Sequence, residues 1–220
     1  MNDRDLLILT VYLICVVYVF YRAINSIDDQ MKIQLDQESL DQQIEAQNLQ
    51  DLVSIKFDLK KKYEFDQFKE LPISITNKSA EQLIGINWDY CSVTNLDGRS
   101  RRVIRLLPGT TLDLMQSQAS STIAPGKTLK ENLIAEDALK RESDAGALKV
   151  GSPLIDVTQI AKKDKKLYAN FLAATATLQF SLKLVLRQLD PFVGGDRTYL
   201  LSCQFNITKV PWTAEMPWNK

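Results

Sequence analysis

Apolar and polar residues change their spacing twice along the chain. Residues 6–21 read LLILTVYLICVVYVFY, 16 positions without a charge. Such a run predicts a helix with no polar face to turn toward water. From residue 25 the apolar positions thin out: Ile27, Met31 and Leu35 recur at i, i+4, and Leu40 and Ile44 resume after a skip. In a segment without Gly or Pro, that spacing predicts an acidic helical stalk over 25–50. At Asp51 the period falls to two. Val53, Ile55, Phe57 and Leu59 alternate with Ser54, Lys56, Asp58 and Lys60, as in a half-buried strand, with a helix continuing to Lys62 as the rival reading.

Further strands follow. LPISITNKS predicts one strand ending in a turn, and residues 83–94 and 99–107 flank Asn95-Leu96-Asp97-Gly98 as a hairpin with Gly where a positive φ is needed. SSTIAPGKTLKENLI places Pro125-Gly126 in a type II turn between two short strands. Leu178, Phe180, Leu182, Leu184 and Leu186 share one face of a later strand, and Tyr199, Leu201, Cys203, Phe205 and Ile207 share that of the next. About seven strands at these intervals predict a mainly β, antiparallel sandwich over 51–212. A helical insertion near 135–166 interrupts it, with Ser152-Pro153 as cap and first helical position, and a Pro-Trp tail over 213–220 follows.

The stretch LPISITNKSAEQLIGINWDY, followed further on by IAPGKTL, resembles immunoglobulin-like sandwiches of the late-embryogenesis-abundant type 2 kind over about a third of the chain. The resemblance implies an immunoglobulin-like fold and a binding role, at or near membranes in some relatives. It brings no catalytic residues with it.

Composition sharpens this division. All eight glycines and seven prolines lie beyond Leu71, so two differently built halves are expected. Lys plus Arg and Asp plus Glu both total 27, which removes any global field for nucleic acid. There is no histidine, the usual general base and transition-metal ligand. Cys15, Cys91 and Cys203 form no CxxC pair, which does not support a zinc cluster or a redox dithiol. By strand parity Cys91 faces away from the apolar side of its strand and Cys203 toward it, so a disulfide between them is not expected.

The apolar run begins behind Arg4 between two aspartates and lacks a good cleavage site, since Tyr21 precedes the small Ala23 at the critical spacing. A retained transmembrane signal anchor over 1–24 is therefore expected rather than a cleaved leader, with the side of the soluble domain left open. The stalk is either a spacer that weakly meets partner helices as a coiled coil or a plain solvated connector. No carboxylate pair is isolated for acid/base work, and VGGD lacks the lysine and hydroxyl of a phosphate loop. An enzyme is not expected, and no cofactor or metal is called for.

Basic clusters at 60–62, 99–105 and 162–166 suit either solvated turns or an acidic partner. Asn77 and Asn206 match N-x-S/T, and Asn77 is expected in a surface turn. Pro211 ends the last strand, so Trp212 is expected as a lid on the sandwich and Trp218 as the more exposed anchor. Trp218, Trp212, Arg99, Arg101 and Arg105 are thus the candidate contacts to a partner or membrane. Together these features predict a single-pass membrane protein whose partners are the lipid bilayer and a protein of a membrane complex, acting as a non-catalytic interaction, scaffold or assembly subunit. The alternative is binding or transfer of a lipid or small hydrophobic ligand by the sandwich.

Overall fold

The computed structural model describes residues 3–105, 117–141, 148–189 and 196–211. In chain order they form α1 (Asp3–Asp28), β1 (Gln30–Leu35), α2 (Gln37–Ala46), β2 (Val53–Phe57), β3 (Tyr63–Glu64), β4 (Leu71–Asn77), β5 (Leu83–Ile86), β6 (Ser92–Thr94), β7 (Ser100–Arg105), β8 (Ser121–Ile123), β9 (Thr128–Ala135), β10 (Leu139–Arg141), β11 (Leu148–Val150), α3 (Ile160–Lys163), α4 (Lys165–Leu172), β12 (Leu178–Leu189) and β13 (Arg197–Lys209). The architecture is mainly β and antiparallel. One sheet runs β2-β4-β9-β7-β6-β12-β13-β1-β3, β5 joins it beside β12 and carries β8, and β10 pairs with β11 apart from it.

The sheet turns over at β7. Ser100, Arg101 and Arg102 pair with β6, whereas Val103, Ile104 and Arg105 pair with β9. One strand thus serves two layers, and its last three residues are buried in succession where the sheet turns. The turn brings β2, at one end of the strand order, against β13 near the other: the Phe57 and Phe205 rings meet edge to face at 4.9 Å. Phe205 also stacks at 4.7 Å on Phe180, its cross-strand partner, and Phe68 and Tyr63 extend the aromatic spine. Each such buried ring stabilises the fold by about 1.5–3 kcal/mol.

Strict alternation carries β12 and β13 as expected: Leu178, Phe180, Leu182, Leu184 and Leu186 are buried, as are Leu201, Cys203, Phe205 and Ile207. The Asn95–Gly98 turn also forms, with Gly98 at φ 78° and its N–H bonded to Asn95 O at 2.9 Å. Gly126, at φ 66°, completes the Pro125 turn, closed by Lys127 N–H to Ala124 O at 3.1 Å. The two strands that this turn joins do not pair with each other. β8 goes to β5 and β9 to β4 and β7.

The stalk expected over 25–50 is replaced. α1 stops at Asp28, and β1 enters the sheet with Met31 opposite Lys209 and Ile33 opposite Ile207. Met31, Ile33 and Leu35 satisfy a period of two as well as Ile27, Met31 and Leu35 satisfy i, i+4, and pairing along β13 outweighs the helix propensity of a polar segment. Leu40 and Ile44 do lie on a helix, α2, and are buried. The segment is therefore part of the β domain and not a spacer or coiled coil.

Parity also breaks in residues 83–94. A 3-10 turn, Trp88–Tyr90, splits the expected single strand, with Asn87 Oδ1 accepting the Asp89 N–H at 3.2 Å. Trp88 is then buried, Tyr90 is 70% exposed and Cys91 turns inward. Cys91 and Cys203 are both buried free thiols, so the expectation that Cys91 faces outward is overturned by one inserted turn. Helix starts at Val157 and not at Pro153, and β10 and β11 occupy part of the insertion. Asp156 Oδ1 and Asp164 Oδ1 cap the successive turns at Thr158 and Leu167.

The expected anchor is a helix, but among the described residues no helix is long and apolar enough to cross a membrane. Its uncharged run, residues 6–21, rises only about 24 Å. The side chains stand clear of the sheet: Leu9 is 49% exposed and Leu7 66%, which bracket the exposed apolar residues from Leu6 to Phe20.

Candidate interaction surfaces

The arginines of β7 separate according to where the strand turns. Arg99 sits exposed in the hairpin turn. Arg101 bonds Asp137 at 3.0 Å and the Leu154 carbonyl, which ties β7 to the segment before α3. Arg102 pairs with Asp89 at 2.5 Å. Partial burial raises the Asp89 pKa, but the Arg102 guanidinium and the Gln118 N–H outweigh it and hold the carboxyl below its ordinary value.

Arg105 lies in the layer junction, 6% exposed. Its guanidinium pairs with Glu131 at 3.2 Å, donates to Ser121 Oγ at 2.8 Å and to the Ala119 carbonyl, and lies 5.2 Å from the centre of the Trp88 ring. Trp88 Nε1 donates to the same Ser121 Oγ at 2.9 Å. Gln118 completes the cluster by accepting the Arg105 N–H at 3.1 Å and donating to the Val103 carbonyl at 2.6 Å. Four elements are thereby fastened to one buried charge. Arg101 and Arg105, expected as partner contacts, are bonded within the domain: Arg105 where β7 crosses to the second layer, Arg101 through Asp137 and the Leu154 carbonyl. Of the three arginine candidates only Arg99, in the turn before β7, is exposed. Trp212 and Trp218 lie outside the described residues.

Asn77 is likewise drawn inward. It is fully buried, donating to the Gln82 and Ile123 carbonyls at 2.7 and 3.0 Å and accepting from Ser79 N–H and Oγ at 2.9 and 2.7 Å. The Asn-Lys-Ser turn is real, but its asparagine is a staple between β4, β8 and the start of β5, not a surface acceptor.

Among the described residues of the β domain, two clefts open on the surface. One, about 240 Å³, lies between the Asn95–Asp97 turn and α3 and α4, where Lys163 pairs with Asp97 at 2.6 Å. That ammonium, with the Arg99 N–H, holds the Asp97 carboxyl below its ordinary pKa. The other, about 400 Å³, lies between α2 and β2 and is lined by Gln37, Asp41, Ile44 and Glu45 on one wall and by Val53, Ser54, Ile55 and Lys78 on the other. Among the described residues no group of three His, Cys, Asp or Glu side chains is placed to hold a metal.

The second cleft exists because the two layers end differently on this side. β2 is the terminal strand of its layer. In the other layer, the part of β13 beyond β1 is covered by α2, whose Gln43 and Gln47 side chains bond the Ser202 and Leu200 peptides. Sequence periodicity gives no sign of this, since glutamines at i, i+4 on a polar helix read as solvated. No protein-family model, curated protein or solved structure matches the chain.

Proposed function

We propose that the protein is a non-catalytic subunit, anchored to a membrane by α1, that presents an immunoglobulin-like β-sandwich to a protein of a membrane complex. The observation that carries this reading is the uncovered apolar helix, whose side chains from Leu6 to Phe20 are nearly all exposed. A soluble monomer rarely leaves a contiguous apolar patch larger than a few hundred Å² in water, and a helix apolar on every side is at home in hydrocarbon. Counted on to Ile24, the run rises about 28 Å against a hydrocarbon core of about 30 Å.

A presenting role is favoured over carriage of a lipid by the aromatic spine that joins the layers. The gap by Leu49, Leu52, Ile84 and Leu186 has only about 10 Å³, less than a ligand needs. The polar clusters also support a non-catalytic role, because their charged groups are consumed in fastening strands together.

Alkaline carbonate extraction of membranes tests the anchor. The full chain is expected in the pellet and a chain lacking residues 1–24 in the supernatant. Crosslinking at native expression, followed by mass spectrometry, is expected to recover a protein neighbour. Release of the full chain by carbonate, or purification in mild detergent with no neighbour, overturns the proposal.

A further inference from the structure

The free edge of β2 is an acceptor for one more strand. Lys78 N–H bonds Leu52 O at 2.9 Å and Asp58 N–H bonds Pro72 O at 3.3 Å, so the even-numbered residues of the β2–β4 ladder bond each other. The backbone groups of Val53, Ile55 and Phe57 therefore point away from β4. The Val53 N–H is taken by Leu49 O at 2.9 Å, and the Phe57 carbonyl by Leu59 N–H at 3.0 Å. This leaves the Val53 carbonyl, both groups of Ile55 and the Phe57 N–H directed outward, with no partner among the described residues. They form the acceptor-donor-acceptor-donor series that an antiparallel strand completes.

The same edge floors the 400 Å³ cleft, whose opposite wall is the Gln37, Asp41, Ile44 and Glu45 face of α2. Asp41 and Glu45 are exposed and neither is ion-paired among the described residues. The one cation of the cleft, Lys78, donates to the Gln50 carbonyl at 3.0 Å. We infer that this edge takes an extended peptide segment of a partner protein by strand addition, with lysine or arginine side chains set against Asp41 and Glu45 and an apolar one over Ile44. This rests on the reading of the chain as an interaction subunit and names its docking site. Charge selects a basic segment over a second copy, because two copies paired through β2 would bring four carboxylates from the two α2 helices toward one another.

The test uses the full chain in mild detergent and a labelled nine-residue peptide of alternating valine and lysine, with a valine-glutamate peptide as control. Binding by the basic peptide is expected, with the Ile55 and Phe57 amides becoming protected from hydrogen exchange. Asp41→Lys with Glu45→Lys, on the exposed face of α2, is expected to weaken it at least tenfold. Ile55→Pro removes the outward N–H without taking a ladder bond and is expected to abolish it, provided the variant melts cooperatively. Equal binding of both peptides, or saturation without protection of Ile55, overturns the inference. So does protection of Ile55 in a self-associated dimer without peptide. A native neighbour that still crosslinks to the Asp41→Lys, Glu45→Lys chain with Ile55 unprotected removes this edge as the site and leaves the subunit reading intact.

Discussion

Gln43 holds the peptide groups of Ser202 from both sides: its Nε2 donates to the Ser202 carbonyl at 2.9 Å and its Oε1 accepts the Ser202 N–H at 2.8 Å. One side-chain amide on α2 makes the two bonds that a neighbouring strand would make, just where β1 has ended opposite Phe205. Asp36 N–H to Gln204 O at 2.8 Å and Gln47 Nε2 to Leu200 O at 3.0 Å continue the row. The longest strand is thus closed by a helix, whereas β2, terminal in its layer, keeps an open edge.

Gln43→Leu keeps the side chain's bulk and removes both bonds. It is expected to destabilise the fold by about 2 kcal/mol and to promote self-association through the uncovered stretch of β13. Urea unfolding and sedimentation check the two effects. Gln47→Ala, which loses one exposed bond, is expected to cost less than about 1 kcal/mol.

At the layer junction, Arg105→Met removes the charge that Glu131, Ser121 and the Ala119 carbonyl all face. Leaving a partner carboxylate 14% exposed and uncompensated is expected to cost about 3–5 kcal/mol. The loss should be partly recovered in the double variant with Glu131→Gln. Arg105→Lys is expected to fall between, since an ammonium cannot reproduce the forked contacts or the stack on Trp88. Thermal melts of the wild type, Arg105→Met, Glu131→Gln and the double variant form the required cycle.

Asn77 bears on both stability and modification. Asn77→Asp sets a carboxylate against the Gln82 and Ile123 carbonyls that the amide now serves. A cost of about 2–3 kcal/mol is expected in chemical denaturation. The folded domain has no room for a glycan on Asn77, whose side chain is fully buried, so intact-mass measurement of cooperatively folded protein from a secretory host is expected to find none there.

The buried thiols make stability depend on alkaline pH. Burial lifts Cys91 from its ordinary value near 9.0 to about 11 and Cys203 to about 12. Above pH 9 the unfolded chain loses these protons while the folded chain keeps them, so stability falls as pH rises toward 11. Replacing both cysteines with alanine should flatten that fall in urea titrations. For the same reason iodoacetamide at pH 8 should leave Cys91 and Cys203 unmodified until the chain is unfolded.

The amino-acid sequence by itself determined the β12–β13 core, because a period of two sustained over many residues admits only one buried face. It also determined the Gly98 and Gly126 turns, where a positive φ limits the choice of residue, and the apolar helix at residues 6–21. Tertiary structure decided what local pattern leaves degenerate. Met31, Ile33 and Leu35 fit a strand or a helix, and only the unpaired flank of β13 selects the strand. A single 3-10 turn at Trp88–Tyr90 breaks the parity of the expected 83–94 strand, which moves Cys91 inside. Arg105 alternates like a surface residue, yet β7 changes layers beneath it and buries its charge. The open edge of β2 is likewise a property of strand order, which depends on contacts far apart in the chain and so cannot be read from the spacing of neighbours.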